Sequence, residues 1–298
     1  MRAIVHPEWE RLGQDWPNRQ ASHFVEAGRI RWHYQRMGSG PILLLLHGAG
    51  AATHSWRDLM PKLAQRFDVI APDLPGHGFT RIQSRKQCSL PLMADGIQAL
   101  LGALQASPAL LVGHSAGAAI ALQMALNGQA RPRLIIGLNP ALAPFRGMAG
   151  AVFPRLARAL ALNPFVPWMF SSFASTAGQV PRLIETTGSD IDQRGLELYT
   201  RMITRSEHVD GALSMMALWN LNPLLDALPS IDVPVHLIVG QGDRTVPTDE
   251  APALARGARQ ISVREVAELG HLMHEEDPEL FAGMIEELYA TTTNAPSQ

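Results

Sequence analysis

The sequence predicts an α/β fold: a mostly parallel central sheet flanked by helices, with a helical lid inserted in it. Three observations carry this reading. Largely apolar runs recur at residues 42–46, 68–71, 110–112, 133–138 and 233–240, the mark of strands covered on both faces. Helical patterns separate them, as the crossovers between parallel strands require. From about residue 140 the strand rhythm stops, and Pro140, Pro144, Pro154, Pro164, Pro167 and Pro181 interrupt short helical patterns until about residue 222. The chain thus divides into a core in two parts, residues 1–139 and 223–290, a lid at 140–222 and a disordered tail at 291–298.

Residues 1 to about 20 hold Trp9, Trp16 and Pro17 without a clear period and read as an irregular arm packed by its aromatics. Residues 23–36 alternate apolar and polar about Gly28, a hairpin signal, and a second turn follows at 38–41. Helices are expected over 56–65, over 90–106, after residue 115 and from the Pro278 region to about Tyr289, with a last strand at 260–266. In the lid, Ser189 and Ser206 are placed to cap the two later helices. The lid gathers Phe145, Phe153, Phe165, Trp168, Met169, Phe170 and Phe173, and its first half carries Arg146, Arg155, Arg158 and Arg182 and no acidic residue. Such a segment packs the lid on the core, walls a wide apolar pocket, or leans on anionic lipid. Trp168, Met202, Met216, Trp219 and His274 are the candidate pocket residues.

With 298 residues, 46% hydrophobic and 17% charged, the chain can fill one large domain with an inserted cap. A net charge of −2 gives no ground for a nucleic-acid partner. The single cysteine, Cys88, excludes an intrachain disulfide and fits a reducing compartment, where a small half-buried side chain is its expected role. No apolar leader and no bilayer-length apolar run is visible, so the expected location is cytoplasmic, with peripheral inner-membrane contact through the lid as the exception. No cluster of His, Cys and carboxylates has metal-ligand spacing, so no metal and no cofactor is expected.

The chemistry is organised around Gly113-His114-Ser115-Ala116-Gly117, where a buried strand turns sharply into an alanine-rich helix. Such an elbow holds its central residue in a strained conformation at a helix N-terminus, where backbone N–H groups favour developing negative charge. Ser115 is therefore the candidate nucleophile. His47-Gly48-Ala49-Gly50, at the end of another buried strand, is suited to supply the Ala49 N–H beside that of Ala116 as an oxyanion hole, with His47 bracing the loop. The glycine-containing turn Asp73–Thr80 lacks the Gly-Lys-Ser/Thr ending of a phosphate loop and reads as structural. A serine nucleophile needs a base and the base needs a carboxylate. Between Asp95 and Glu185 there is no acidic residue, and Asp243 is the first acid after the next central strand. His271, after Gly270 in the loop following the last strand, is the better-placed base. His274 is expected to brace the last helix or line the pocket.

Jointly, His47-Gly-Ala-Gly50, Asp73-Leu-Pro-Gly-His-Gly78, Gly113-His-Ser-Ala-Gly117, Gly240-Gln-Gly-Asp243 and Gly270-His271 resemble the α/β-hydrolase superfamily over nearly the whole chain. Serine at 115 separates it from dehalogenases and epoxide hydrolases, which place aspartate there. His6-Pro-Glu-Trp-Glu-Arg, Asp15-Trp-Pro-Asn-Arg19, Gly50-Ala-Ala-Thr-His-Ser-Trp-Arg57 and His274-Glu-Glu-Asp-Pro278 look like the BchO family, magnesium-chelatase accessory hydrolases of bacteriochlorophyll biosynthesis. That resemblance implies a pigment-making bacterium, a flat apolar tetrapyrrole (a porphyrin or its ester) as ligand, and contact with magnesium chelatase. Three readings follow: a Ser-His-Asp carboxylic ester hydrolase, a non-catalytic porphyrin-binding accessory protein, and a C–C bond hydrolase.

Overall fold

The structure, a computed structural model, describes residues 5–143 and 179–294. Eight strands form one sheet: β1 Ser22–Ala27, β2 Ile30–Gly38, β3 Ile42–Leu46, β4 Asp68–Pro72, β5 Leu110–His114, β6 Leu134–Leu138, β7 Val235–Gly240 and β8 Ile261–Val266. Their order across the sheet is β1-β2-β4-β3-β5-β6-β7-β8. The hairpin β1–β2 and the β2–β4 pairing are antiparallel, and every later pairing is parallel.

Strand period decides which residues meet which layer. Leu44, Leu46, Leu111 and Ile135 face one core with α3 (Leu90–Ala103) and α4 (Ala116–Leu126). Their neighbours Leu43, Leu45, Leu110, Val112, Leu134 and Ile136 face the other, against α2 (Leu59–Leu63) and α11 (Pro278–Asn294). All four leucines of β3 from Leu43 to Leu46 are fully buried. Each is worth about 1.5–3 kcal/mol on burial, so the four together exceed the roughly 1–3 kcal/mol of one strained backbone residue. The central strands can therefore hold a strained residue at their ends.

Several local expectations are corrected. The helix expected over 56–65 begins only at Leu59, after a 3-10 turn at Thr53–Trp56. Pro61 has no N–H to give the carbonyl of residue 57, and the Arg57 carbonyl instead accepts from Asn18 Nδ2 at 3.0 Å. The last helix continues to Asn294, so residues 291–294, expected in the tail, are helical. Cys88 is wholly buried, not half-buried, and burial pushes its thiol up to about 12. The N-terminal arm contains the short helix α1 (Trp9–Leu12) and is held by aromatics, as read: Trp9 and Trp16 pack edge-on against Phe79.

Between β6 and β7 the described residues form α5 (Gln179–Thr186), α6 (Gln193–Ile203), α7 (Ser206–Leu218) and α8 (Asn222–Ala227). The expected caps do not form. Asp192, the residue before Gln193, caps α6, its side chain accepting from Gly195 N at 2.7 Å, while Ser189 lies three residues earlier and accepts from Leu272 N. Ser206 lies inside the first turn of α7, whose N-cap position is Arg205. Before β8 lies α9 (Glu250–Ala255), and after it α10 (Met273–Glu276).

Candidate active site

Ser115 stands between β5 and α4 with φ +51° and ψ −117°. The turn closes because the residues two before and two after the serine have no side chain: a Cβ on Gly117 would lie 2.0 Å from the Leu46 carbonyl oxygen, and one on Gly113 2.4 Å from Ala118 N. Any larger residue at either place would force strand and helix apart. Ser115 N donates to the Leu138 carbonyl at 2.9 Å, which ties the elbow to the neighbouring strand.

Asp243 follows β7 and uses both carboxylate oxygens. Oδ1 accepts from Thr245 N at 2.7 Å and Val246 N at 3.0 Å, while Oδ2 pairs with His271 Nδ1 at 2.7 Å. The backbone bonds aim the carboxylate, and the carboxylate fixes the imidazole tautomer. The His271 ring lies 4.8 Å from that of His114, the residue before Ser115. His114 Nε2 donates to the His271 carbonyl at 2.9 Å, so elbow and base loop are bonded directly. Sequence reasoning missed Asn139. Its Nδ2 donates to the carbonyls of Gly270 (2.8 Å) and His271 (3.1 Å), and its Oδ1 accepts from Gly240 N at 2.7 Å. Asn139 sits in the left-handed region at φ +41°, and the sequence marks only an Asn between a buried strand and Pro140, which does not reveal these partners.

Ala49 is exposed on its loop, and Ala116 is the first residue of α4. The Gly48 backbone beside Ala49 abuts the elbow, since a Cβ there would meet Ser115 Cβ at 3.1 Å. His47 braces the loop as expected: Nδ1 donates to the Gly48 carbonyl at 2.8 Å and Nε2 accepts from Leu74 N at 2.9 Å. His208 on α7, another residue not singled out by sequence, does the same from the lid. Its Nε2 donates to the Gly50 carbonyl at 3.0 Å and its Nδ1 accepts from Gly78 N at 3.0 Å. Burial, first among several causes, pushes both imidazoles below their usual range.

The candidate pocket residues scatter. Met202 is sealed in a cluster with Trp9, Trp16, Ala52, Phe79 and Leu198, and is a core residue instead of a pocket wall. Met216 is an exposed lid side chain, and Trp219 packs on the main core. His274 braces: Nε2 shares a 2.8 Å bond with Ser55 Oγ, and its ring lies 4.5 Å from both Trp56 and His114. Trp168 and the aromatic stretch around it lie outside the described residues. Among the described residues no group of three metal-ligating side chains converges, and no helix is long and apolar enough to cross a membrane.

A family model described as the alpha/beta hydrolase fold matches residues 41–278. The chain is 45% identical over 276 residues to the magnesium-chelatase 30 kDa subunit of Rhodobacter capsulatus, with 92% of this chain and 96% of that one covered. It is 27% identical over 281 residues to the 2-hydroxymuconate semialdehyde hydrolase of Pseudomonas sp. (strain CF600), covering 89% and 93%. Among solved structures, the epoxide hydrolase CorEH superposes with a TM-score of 0.78 at 21% identity over 91% of this chain and 98% of that one, a likeness of fold alone. The chain belongs to the α/β-hydrolase fold family and, within it, to the BchO-like group that includes the magnesium-chelatase 30 kDa subunit.

Proposed function

We propose that the protein is a serine hydrolase that cleaves a carboxylic ester of an apolar substrate, a tetrapyrrole intermediate of bacteriochlorophyll biosynthesis. The observation that carries this reading is the Asp243–His271 hydrogen bond at 2.7 Å, in a base loop bonded to His114, the residue before a serine in the strained elbow conformation. Ser115 Oγ attacks the ester carbonyl while His271 Nε2 takes its proton, and Asp243 holds the resulting imidazolium. The Ala49 and Ala116 N–H groups receive the oxyanion. The tetrahedral adduct expels the alcohol, which leaves with the proton from His271. Water then attacks the acyl-enzyme through the same base and releases the carboxylic acid, returning Ser115 Oγ–H.

The tetrapyrrole substrate class rests on the 45% identity to a magnesium-chelatase subunit. The lid arginines Arg146, Arg155, Arg158 and Arg182 suit a porphyrin bearing propionates, and they equally suit a lid leaning on anionic lipid. The same relative favours a second reading, a porphyrin-binding accessory protein that keeps the fold and presents pigment to the chelatase. The semialdehyde hydrolase relative keeps C–C hydrolysis as a weaker third. The test is p-nitrophenyl ester turnover by the parent and Ser115→Ala, with porphyrin binding titrated on both. Turnover lost only in the variant, with binding retained in both, supports the hydrolase. Equal porphyrin binding without turnover in either favours the accessory protein.

A further inference from the structure

We propose that the lid segment between α5 and α6, Thr187-Gly188-Ser189, is a positioning element that sets the Asp243–His271 pair by clamping the acid loop and the base loop together. The inference rests on the hydrolase reading for its kinetic consequence, and on geometry for the clamp itself. The Thr187 carbonyl accepts two hydrogen bonds, from Arg244 N at 3.1 Å and from His271 N at 3.3 Å. One lid oxygen therefore holds the residue after the acid and the base itself. Ser189 Oγ accepts from Leu272 N at 2.8 Å, one residue beyond the base.

Gly188 is wedged between the two loops. A Cβ on it would lie 2.1 Å from the Gly242 carbonyl oxygen, and a Cβ on Gly270 would lie 2.4 Å from Gly188 C. Three backbones stack there with no room for a side chain, and Gly188 sits at φ +81°, which also favours glycine. The loops touch each other directly as well, Gly242 N donating to the Leu269 carbonyl at 2.9 Å. That contact precedes both Asp243 and His271, whereas Thr187 engages His271 itself.

The clamp is anchored on either side. Thr187 N and Gly188 N donate back to the Ile184 and Glu185 carbonyls at 2.9 and 3.0 Å, closing the end of α5. Three residues past Ser189, Asp192 takes Arg57 Nη2 at 2.7 Å, and Arg57 is in turn paired with the buried Glu275. A lid segment so fixed can hold two loops in register, and a misplacement of about 1 Å in such a pair costs roughly 100-fold in rate.

The experiment uses the full chain and three variants, Ser189→Ala, Ser189→Thr and Gly188→Ala, each checked for parent-like circular dichroism. The first readout is the low-field proton resonance of His271 Nδ1–H, assigned by its loss in Asp243→Asn. The second is the split between kcat and KM on a p-nitrophenyl ester. The clamp predicts that Ser189→Ala, which removes a hydroxyl that accepts from Leu272 N and also bonds the Glu276 carboxylate, shifts or broadens that resonance and lowers kcat about tenfold, with KM unchanged. Ser189→Thr, which keeps the hydroxyl, restores both, and Gly188→Ala exceeds the effect of Ser189→Ala. A folded Ser189→Ala with the parent resonance, or one that changes KM alone, overturns the clamp; if Gly188→Ala fails to fold, Ser189→Ala decides. A parent that turns over no ester while its resonance responds as predicted counts against the hydrolase reading and leaves the clamp standing.

Discussion

The molecule holds two Asp–His pairs of the same geometry. Asp73 Oδ2 meets His33 Nδ1 at 2.7 Å, and Asp243 Oδ2 meets His271 Nδ1 at 2.7 Å. Asp73 is as fully engaged as Asp243, accepting from Thr53 N and Phe79 N, both at 2.7 Å. Their surroundings differ. The His33 ring packs among Trp9, Phe24 and Phe79, and its Nε2 is buried without a hydrogen-bond partner among the described residues. The His271 side chain keeps 9% exposure and lies against the residue preceding Ser115. An Asp–His bond is thus a general bracing device. It becomes a candidate for chemistry only where the second imidazole nitrogen is open and a nucleophile stands near it.

Paired substitutions break this comparison most sharply. Asp243→Asn should lower kcat by about 10⁴-fold with little change in the unfolding midpoint, because it removes the group that fixes the tautomer. Asp73→Asn should do the reverse: it removes a buried carboxylate that pairs with His33 and accepts from Thr53 N and Phe79 N, so the fold loses about 3–5 kcal/mol in chemical denaturation while kcat per folded molecule stays near the parent. If both lower activity alike in folded protein, the distinction between the pairs fails.

The pH dependence of stability separates the pairs next. Burial pushes the Asp73 carboxyl up, but His33 and the Phe79 N–H outweigh it, and the group sits well below its ordinary value of 3.8. A depressed carboxyl stabilises the fold fully above its unfolded value and loses that contribution as pH falls toward its folded one. The gap in urea midpoint between parent and Asp73→Asn should be widest above about pH 5 and narrow as pH is lowered from about 4. Smallest is Trp16→Phe, which deletes the 3.0 Å bond from Nε1 to Thr53 Oγ1 beside the Asp73 turn. It should cost about 1 kcal/mol and leave kcat alone.

What the sequence revealed of the site follows the same divide. The elbow was legible because the need for Gly113 and Gly117 is local, and Asp243 and His271 because chain order and the acid-free stretch from 96 to 184 left few alternatives. Strands were legible as apolar runs of buried period. The bracing residues were not. Asn139 reaches Gly270 across 131 positions, His208 reaches Gly78 across 130, and Arg57 pairs with Glu275 across 218. No local pattern encodes partners so distant. Ser189 shows the cost: a hydroxyl before a helix reads as a cap, yet the base loop claims it. Met202 likewise reads as a pocket wall until the N-terminal arm folds over it.

The most direct test of the account is covalent labelling of the intact chain with a fluorophosphonate, mapped by peptide mass spectrometry. A nucleophilic Ser115 served by Asp243 and His271 should give one adduct, on Ser115, absent from Ser115→Ala, formed much more slowly by Asp243→Asn and at the parent rate by folded Asp73→Asn. A folded parent that takes no label at Ser115, or an adduct that persists in Ser115→Ala, would contradict it.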